Sequence, residues 1–393
     1  MGKDIFIKMN ILQEKFKALK KQMQDKWQLL DSDIEDEKRY EIVAGIQQDL
    51  IDYATFLEEE MKLYDTDVIQ MLNTTCELCY RYVVTHELYL KSFLYIMKMQ
   101  LDIIGQLTFT CVKKGAYNLS IVAIIKNEMY MREWIEYHRM IGVSHFYIYD
   151  NESTNHLKEE LKDYMDMGIV TYHYFPGSLV QHKAYNHAVE NYQFETKYMA
   201  IIDADEYIVP MQDALVPDIV EQIFKDYESV VFKESEFAGG VGINWREYGT
   251  SHHKEKQDGL CIENYMYRAA DDYFQNVHIK TIFIPRVITN IANPHFPYME
   301  EGWRNISENG SMIPHSYFYD SMCKKLRINH YFCKSEEEFM QKLKRGWPDR
   351  VHEELAKTRI DKEMNLAINT CNEIYDPIME KYIPELKKRL KRS

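Results

Sequence analysis

The sequence predicts an α/β fold, in which helices cover a parallel sheet, preceded by an all-helical N-terminal region. No proline occurs before residue 176 and only four glycines occur through residue 115, so little interrupts long helices early in the chain. After the segment KKGAYN, residues 113–118, short β-rich runs alternate with helical patterns, as in a βαβ series. The 393 residues therefore divide into a helical region at 1–115, an α/β domain at 116–350 and C-terminal helices with a basic tail at 351–393.

The N-terminal region begins with apolar residues at spacings of three and four, the repeat of one helix face. They are Met9, Leu12, Phe16, Leu19, Met23 and Trp27. Such a stripe is typical of a core or a coiled-coil seam, with contact to a membrane surface as the alternative. The acidic segment DSDIEDE, residues 31–37, supplies caps for a second helix. A third helix is predicted from about Asp67 to Ile104.

The α/β domain opens with strands and helices that can be assigned in order. The predicted strands are 119–125 (LSIVAII), 145–150 (HFYIYD), 169–175 (IVTYHYF) and 198–202 (YMAII), and the predicted helices are 128–142, 155–168 and 181–192. The first strand is continuously apolar, as expected of a strand buried on both faces. A further strand is predicted at 229–232 (SVVF), after which the pattern is less regular and suggests a sheet edge with long loops.

Composition narrows the class of protein. A net charge of −14 and a pI near 5.5 disfavour nucleic acid as a partner. Seven scattered cysteines favour a reducing compartment, and the pair Cys76 and Cys79 is interpreted as packing rather than a zinc or redox site. Without a long apolar run or a secretory signal we expect a cytoplasmic protein. The basic tail ELKKRLKRS could also hold it at the inner face of the membrane, by peripheral contact with anionic lipid.

Three carboxylates, Asp203, Asp205 and Glu206, follow directly on the predicted strand 198–202. In an open parallel sheet, ligands bind beyond the carboxyl ends of the strands. Asp203 and Asp205 point the same way on an extended chain, so their charges would repel unless a cation lies between them. Oxygen ligands of this kind suit Mg²⁺ or Mn²⁺, which would leave coordination positions open for a diphosphate.

Earlier strands of the series also end in polar residues, which we expect at the same edge of the sheet. They are Lys126, Asn127 and Glu128 after the first strand, and Asp150, Asn151 and Ser153 after the second. The loop at 176–181 follows the third strand less clearly. Helix capping would explain any one of these groups alone, but their coincidence at one edge favours a binding site.

Several ordered segments together resemble glycosyltransferase family 92 and its family-2-like bacterial relatives, over roughly residues 117–350. They are IVAIIKNEMYMREWIEYHRMIGVSHFYIYDNES, QHKAYNHAV, YMAIIDADEYIVP, INWREYGTSHH, HIKTIFIPRVITNIANPHFPY and LRINHYFCKSEEEFMQKLKRGW. The resemblance implies a GT-A fold and transfer of a sugar from a nucleotide-diphosphate donor. It also implies that the Asp-x-Asp pair, Asp203 and Asp205, holds Mn²⁺ or Mg²⁺ against the diphosphate.

The resemblance further nominates site residues. Those for the donor are Lys126, Glu128, Asp150, Gln181, Lys183, Asn186 and Asp203, and those for the acceptor are Trp245, Arg246 and His252. Tyr248 and His252 depart from the usual family pattern of that last segment. His330, and less so His295, is expected to join Asp203 and Asp205 at the metal, because neutral imidazole binds Mn²⁺. Beside Asp205 in catalysis, Glu236 is the expected general base, with Glu234, Asp271 and Asp272 as alternatives.

These expectations describe a metal-dependent, inverting hexosyltransferase of polysaccharide biosynthesis, with a glycan or lipid-linked saccharide as the acceptor. The resemblance suggests UDP-galactose as the first donor to test. One alternative is a non-catalytic carbohydrate-binding or assembly protein of the same fold. Another is a metal-dependent phosphoester hydrolase, because paired acids also serve two-metal sites.

Overall fold

The computed structural model describes residues 3–30, 32–59, 66–85, 89–112, 117–193, 195–231, 237–320, 323–345 and 357–391. The chain divides into two compact units, Met1–Ala116 and Tyr117–Ser393. Among the described residues, no helix combines the length and the apolar character that crossing a bilayer requires.

The first unit consists of helices. They are α1 (Lys3–Leu30), α2 (Asp36–Glu59), α3 (Thr66–Thr85) and α4 (Leu90–Val112). The predicted stripe of α1 is core, because Leu12, Phe16, Leu19, Met23 and Trp27 are buried, whereas the side chain of Met9 lies outside the described part. Burial of this stripe supplies the apolar area that long helices need to be stable.

The single third helix predicted at 67–104 is wrong, since two helices occupy this stretch. α3 and α4 pack on each other through the rings of Tyr82 and Phe93, whose centroids lie 4.5 Å apart. Cys79 is buried against Met97, with 4.0 Å between the sulfurs, as the packing interpretation of this cysteine expects. No glycine or proline separates the two helices in sequence, so the helical repeat alone could not locate the break.

The second unit is built on a mixed sheet. Its strands are β1 (Tyr117–Ile125), β2 (His145–Asp150), β3 (Val170–Tyr174), β4 (Thr196–Ile201), β5 (Glu206–Pro210), β6 (Phe237–Glu247), β7 (Tyr267–Arg268), β8 (Ile279–Phe283), β9 (Ile288–Asn290), β10 (Tyr298–Met299), β11 (Trp303–Ile306), β12 (Leu326–His330) and β13 (Ile374–Tyr375). The main sheet has the order β3-β2-β1-β4-β8-β6-β12-β5, with β11 beside β6. β1 to β4 run parallel, β8 is antiparallel to β4 and β6, and β12 is parallel to β6 but antiparallel to β5.

Helices cover the sheet and extend beyond it. They are α5 (Met131–Met140), α6 (Leu157–Glu160), α7 (Lys162–Asp166), α8 (Gln181–Tyr192), α9 (Val216–Val231), α10 (Cys261–Asn264), α11 (Glu336–Arg345), α12 (Lys357–Asn365) and α13 (Ile383–Leu390). A π-helical turn, Leu366–Thr370, follows α12. The predicted parallel strands and the helix at 181–192 are therefore present, whereas the predicted helix 155–168 is split at Leu161 into α6 and α7.

Burial on both faces explains why β1 is continuously apolar from Ile121 to Ile125. Ile121, Ala123 and Ile125 belong to one core cluster, whereas Val122 and Ile124 belong to another. Side chains alternate along a strand, so the two clusters lie on opposite faces of the sheet. The prediction of a central strand buried on both faces is confirmed.

The strand predicted at 229–232 is wrong, because residues 229–231 form the end of α9. Val216, Ile219, Val220, Ile223 and Phe224 are buried at spacings of three, one, three and one, which is a helical stripe facing the core. Tertiary packing of this stripe outweighs the weak preference of the terminal valines for strand. Glu234 and Glu236, which follow this predicted strand in sequence and were expected near the active edge for that reason, lie outside the described part of the chain.

Candidate functional site

The three acids predicted as the site lie where β4 ends and β5 begins. β4 ends at Ile201, Asp203 and Asp205 occupy the turn that follows, and Glu206 opens β5. The parallel strands β1, β2 and β3 end at the same edge, with Ile125, Asp150 and Tyr174 in register. This edge of the sheet is therefore where the chain concentrates carboxylates, as the strand order predicts.

Asp203 faces a buried lysine. Its Oδ2 accepts a hydrogen bond from Lys280 Nζ at 2.9 Å, and its Oδ1 accepts one from the Tyr185 hydroxyl at 3.4 Å. Lys280 comes from β8 and is 1% exposed. Burial alone would lower the pKa of Lys280, but Asp203 and Glu206 outweigh it and raise that pKa, so the ammonium stays charged.

Asp205 has a different lysine, Lys342 of α11, whose ammonium donates to Oδ2. On the other side, His330 Nε2 lies 3.8 Å from Asp205 Oδ1. Burial opposes ionisation, but Lys342, His330 and Lys334 together hold the pKa of Asp205 well below its usual range. Asp205 is therefore a carboxylate at neutral pH.

His330 is oriented by a carboxylate. On β12 it stands in register with Glu206 of β5 and Glu247 of β6, and its Nδ1 is bonded to Glu247 Oε2 at 2.8 Å. Burial would lower the pKa of His330, but Glu247 and Asp205 raise it to about 8. Because Glu247 holds Nδ1, Nε2 is the ring atom that faces Asp205.

Glu206 lies beneath the turn and is fully buried. Burial raises its pKa to about 7, in spite of Lys280, whose Nζ lies 3.4 Å from Glu206 Oε2. The same Oε2 accepts the backbone N–H of Asp203 at 2.7 Å. Glu206 Oε1 is buried and has no hydrogen-bond partner among the described residues. Glu206 thus fixes the backbone that carries the Asp-x-Asp pair.

The donor set was tested against the expected divalent ion. Asp205 Oδ1 and His330 Nε2 face each other, and a histidine whose second nitrogen is bound to a carboxylate is the usual arrangement around a metal. An ion there would take the place of the proton that a pKa of about 8 keeps on His330 at neutral pH. Oxygen and imidazole ligands together fit Mn²⁺ better than Mg²⁺. Asp203 is turned to Lys280 instead, so two of the three predicted ligands come together. Among the described residues no group of three or more acidic, histidine or cysteine side chains is arranged to hold a metal by itself.

Asp203 and Asp205 do not share one cation, as the sequence led us to expect. Each is paired with a separate lysine, Asp203 with Lys280 and Asp205 with Lys342. Repulsion between them is relieved by Lys280 and Lys342, so the need for a metal does not follow from charge balance. A metal is supported only by the ligand geometry of Asp205 and His330.

The predicted donor residues fall into two groups. Glu128 and Gln181 connect to the acids, since Glu128 Oε1 is 2.5 Å from Lys334 Nζ and Gln181 donates to the Tyr185 hydroxyl at 3.0 Å. Lys334 in turn helps to lower the pKa of Asp205. Gln181 is therefore connected to Asp203 through Tyr185. Glu128 pairs with Lys334, the lysine whose charge acts on Asp205.

The other predicted donor residues have local structural partners or lie at the surface. Asp150 accepts the Ser153 backbone N–H at 2.8 Å and the Tyr172 hydroxyl at 2.5 Å. Asn186 bonds both backbone groups of Ile291 at 3.0 Å. Lys126 is half-buried and Lys183 is exposed. Asn186 therefore fixes the backbone at Ile291, and this structural task explains an amide at position 186 even if the residue does not bind a nucleotide sugar.

The predicted acceptor residues do not form one wall. Trp245 is buried, with its ring stacked on His278 at 4.8 Å and 4.2 Å from that of His330. Arg246, the next residue on β6, points to the opposite face and pairs with Asp271 at 3.3 Å. His252 is exposed in the loop after β6. Of these three residues, Trp245 is the one whose ring contacts His330, the histidine beside Asp205.

His252 lies beside Tyr267, 5.0 Å between ring centroids. His295 contacts Trp245 but uses Nδ1 to bond the Ile279 carbonyl at 2.9 Å, and burial holds its pKa well below the usual range. Asp271 also binds Arg268 at 2.8 Å, so two guanidinium groups, those of Arg246 and Arg268, hold this carboxylate. Of the candidate bases, Asp271 and Asp272 are both exposed.

Sequence reasoning missed four charged residues of the site: Lys280, Lys334, Lys342 and Glu247. Lys280 had a signal, because it stands inside the apolar run of HIKTIF and a lysine buried in a strand needs a charged partner. Nothing in the sequence pattern marked Lys334 as a site residue. Its left-handed φ of 57° is a property of the folded backbone. Lys342 reads as an ordinary position of an amphipathic helix.

The sheet and its acidic edge define an α/β protein whose candidate site lies beyond the carboxyl ends of parallel strands, where ligands of such sheets bind. A profile described as glycosyltransferase family 92 matches residues 122–366, and the chain belongs to this family. Family membership and the sheet order together confirm the predicted fold class, a GT-A domain that follows a helical N-terminal region.

Similar curated proteins come from plants. A family 92 protein of Ricinus communis is 29% identical over 57% of this chain and 40% of its own length. A family 92 protein of Oryza sativa subsp. japonica is 29% identical over 24% of this chain and 17% of its own length. An Arabidopsis thaliana family 92 protein is 28% identical over 23% and 16%. The chain spans at most about two fifths of these relatives.

Solved structures resemble the chain only distantly. S. aureus TarS, residues 1–349 in complex with UDP, aligns with a TM-score of 0.29 and 14% identity over 43% of this chain and 47% of TarS. The 4-diphosphocytidyl-2C-methyl-D-erythritol synthase of Anaerococcus prevotii aligns with a TM-score of 0.26 and 10% identity over 51% and 92%. Superpositions at these scores carry no argument about the site.

Proposed function

We propose that this chain is a metal-dependent, inverting glycosyltransferase that moves a hexose from a nucleoside diphosphate, UDP-galactose first, to a glycan or lipid-linked saccharide. The observation that carries the proposal is the facing pair of Asp205 Oδ1 and His330 Nε2, 3.8 Å apart. This pair lies at the carboxyl end of a parallel strand in a member of family 92. Mn²⁺ is the proposed ion, because the ligand set includes imidazole.

Each residue of the site has a proposed task. Asp205 and His330 would hold the ion, and Glu247 keeps His330 Nε2 directed at Asp205. When bound, the ion offsets the negative charge that develops on the leaving diphosphate. Lys280 and Tyr185 hold Asp203, whose side chain is 36% exposed and can accept a ribose or sugar hydroxyl. Glu236 stays the proposed base for the acceptor hydroxyl.

Donor turnover tests the proposal. Purified protein would be offered a panel of nucleotide sugars with Mn²⁺, and both hydrolysis and thermal stabilisation would be measured. We expect one donor to be selected, and Asp205→Asn to lower its turnover about 100-fold, the loss typical of one electrostatic contact to a transition state. Asp166→Asn is the matched control, since Asp166 is an exposed aspartate paired with Lys162 on the surface.

Three outcomes would overturn the assignment. Wild-type turnover in Asp205→Asn would remove the ligand pair from the mechanism. Saccharide binding without turnover of any donor would favour a carbohydrate-binding protein, and Mn²⁺-dependent release of phosphate from a phosphomonoester would favour a hydrolase.

A cytoplasmic location and peripheral membrane contact complete the proposal. Two residues of the basic tail form ion pairs with the rest of the chain. Lys387 pairs with Glu263 at 2.6 Å and Arg389 with Glu136 at 3.5 Å. Binding of the whole chain to vesicles containing phosphatidylserine, compared with neutral vesicles, would test the contact.

A further inference from the structure

A short segment at residues 315–319 displays two tyrosine rings at the surface. Ser316 and Phe318 are buried, whereas Tyr317 is 41% and Tyr319 74% exposed. Two backbone hydrogen bonds hold residues 316–318 antiparallel to residues 277–279, from Phe318 N to the Val277 carbonyl at 2.7 Å and from Ile279 N to the Ser316 carbonyl at 3.3 Å. The backbone on either side of Tyr317 is therefore fixed, and the side chains of Tyr317 and Tyr319 lie at the outer surface.

Asn244 reinforces this placement from β6. Its side-chain amide donates to the carbonyls of Phe318 at 2.8 Å, Asn276 at 3.1 Å and Val277 at 3.2 Å. One buried amide thus ties β6, the turn before β8 and the tyrosine segment together. The segment is a rigid part of the surface, as a preorganised binding site needs to be.

A series of ring contacts connects Tyr317 to the candidate site. The Tyr317 ring lies 4.7 Å from that of His278, His278 stacks on Trp245 at 4.8 Å, and Trp245 lies 4.2 Å from His330. His330 faces Asp205. Tyr317 therefore lies at the outer end of a packed aromatic series whose inner end is the proposed ion site, and the exposed Tyr319 follows it two residues later.

The middle of the series contains an unsatisfied donor. Trp245 is 7% exposed, yet its indole Nε1–H has no hydrogen-bond partner among the described residues. Such a group in a native protein calls for an explanation, and a buried water is a partner that could satisfy an enclosed N–H.

The chemistry of this surface selects its ligand. Tyrosine presents an apolar face and a hydroxyl, so it can cover the C–H face of a sugar ring and bond its hydroxyls. A nucleoside diphosphate would instead be drawn to the lysines around Asp203 and Asp205. A protein partner needs about 800 Å² on each side, far more than two tyrosines offer. A neutral saccharide is the occupant that fits.

We infer that Tyr317 and Tyr319 form an acceptor strip, a surface that binds sugar units of the acceptor chain next to the unit that reacts. This inference rests on the proposed function and extends it, since it names an oligosaccharide rather than a single sugar as the acceptor. It also assigns acceptor binding to the aromatic series around Trp245 in place of Arg246 and His252, which were predicted from the sequence.

The experiment measures binding as a function of saccharide length. Gluco-, galacto- and manno-oligosaccharides of one to six units would be titrated into the full chain by calorimetry. We expect affinity to rise with length for at least one series, and Tyr317→Ala and Tyr319→Ala to weaken the longest saccharide about tenfold, the loss of a stacking contact. Tyr317→Phe and Tyr319→Phe should keep most of the affinity because the ring remains.

Tyr375→Ala is the matched control, since Tyr375 is 52% exposed on β13, away from the series, and should bind saccharide like the wild type. UDP binding with Mn²⁺, followed in the same samples, reports on the proposed function separately. Loss of saccharide affinity in the alanine variants, with UDP still bound, supports the strip. Wild-type affinity in both alanine variants, or no dependence on saccharide length, overturns it even if donors are turned over.

Discussion

Asp205 is a buried carboxylate whose charge depends mainly on Lys342. Replacing Lys342 by methionine keeps the length of the side chain and removes the ammonium. We expect the pKa of Asp205 to rise and the free energy of unfolding to fall by about 3 kcal/mol, because breaking one side of a buried ion pair leaves a charge uncompensated. Urea denaturation of both proteins at pH 7 measures the difference.

A double-mutant cycle isolates this pair from other effects of the substitution. Asp205→Asn removes the charge, so Lys342→Met should cost much less in the Asp205→Asn background than in the wild type. Equal costs in the two backgrounds would mean that Lys342 contributes packing over the Phe332 ring, 3.8 Å from its ammonium, rather than charge.

His138 predicts a pH dependence of stability that is separate from the site. It is buried, bonds the Trp134 carbonyl through Nδ1 at 2.8 Å and accepts the Ile208 N–H through Nε2 at 3.2 Å. Burial lowers the pKa of His138 from 6.5 to about 3. A folded-state pKa below the unfolded value means that its stabilisation is full above pH 6.5 and is lost as the pH falls towards 3.

The comparison for His138 is His138→Gln, which cannot titrate. We expect the free energy of unfolding of the wild type to fall more steeply between pH 7 and pH 4.5 than that of the variant. Other groups titrate in this range in both proteins, so the difference between the two slopes reports His138. Parallel slopes would show that the imidazole accepts a proton in the folded state.

Residues close in sequence were the part of the site that could be predicted. Asp203 and Asp205 were found because they alternate with period two after an apolar strand. Their partners Lys280 and Lys342 lie 77 and 137 residues further along the chain, and no local pattern joins such positions. The same limit applies to His330, which could be nominated by family resemblance but whose bond to Glu247 required the register of β6 and β12.

At the scale of elements, the end of β6 and the turn after α12 approach so closely that only glycine fits at residue 249. A Cβ built on Gly249 would lie 2.4 Å from Asn372 Oδ1 and 2.5 Å from the Cys371 carbonyl oxygen. Asn372 is held by bonds to the Ile368 carbonyl and the Ser251 N–H, so it cannot simply move away. This contact fixes the loop that carries His252.

Gly249→Ala should therefore force these elements apart. We expect the free energy of unfolding to fall by about 2 kcal/mol, within the range for an overpacked core. Gly45→Ala is a control, because a Cβ there has its nearest neighbour, Lys26 Nζ, at 3.4 Å, and helix propensity favours alanine. An unchanged free energy of unfolding in Gly249→Ala would mean that the backbone at Cys371 and Asn372 can shift without destabilising the fold.

The elements that could be predicted share a property: their order in space follows their order in sequence. β1 to β4 alternate with helices, so connection rules assign them to one parallel layer. β8, β6, β12 and β5 are joined by long connections and mix directions, and their places in the sheet depend on pairing that the sequence pattern does not encode. The end of α9 was predicted as strand for a simpler reason: its last two residues are valines, which favour strands.

At the scale of the whole molecule, the two units have separate cores. Leu50 is buried among helices of the first unit, whereas Ile148 is buried in β2 of the second. A unit with its own core can unfold as a cooperative body of its own. Calorimetry of the full chain should therefore resolve two transitions rather than one.

Core truncations assign those transitions. Leu50→Ala and Ile148→Ala should each cost about 2–5 kcal/mol, the usual range for a buried large-to-alanine change, and each should lower the midpoint of a different transition. The proposed function adds a further requirement, since UDP with Mn²⁺ should raise only the midpoint that Ile148→Ala lowers. A single transition shifted equally by both substitutions would mean that the helical unit and the sheet unit unfold as one body. The role of the N-terminal helices would then have to be sought in the stability of the sheet unit itself.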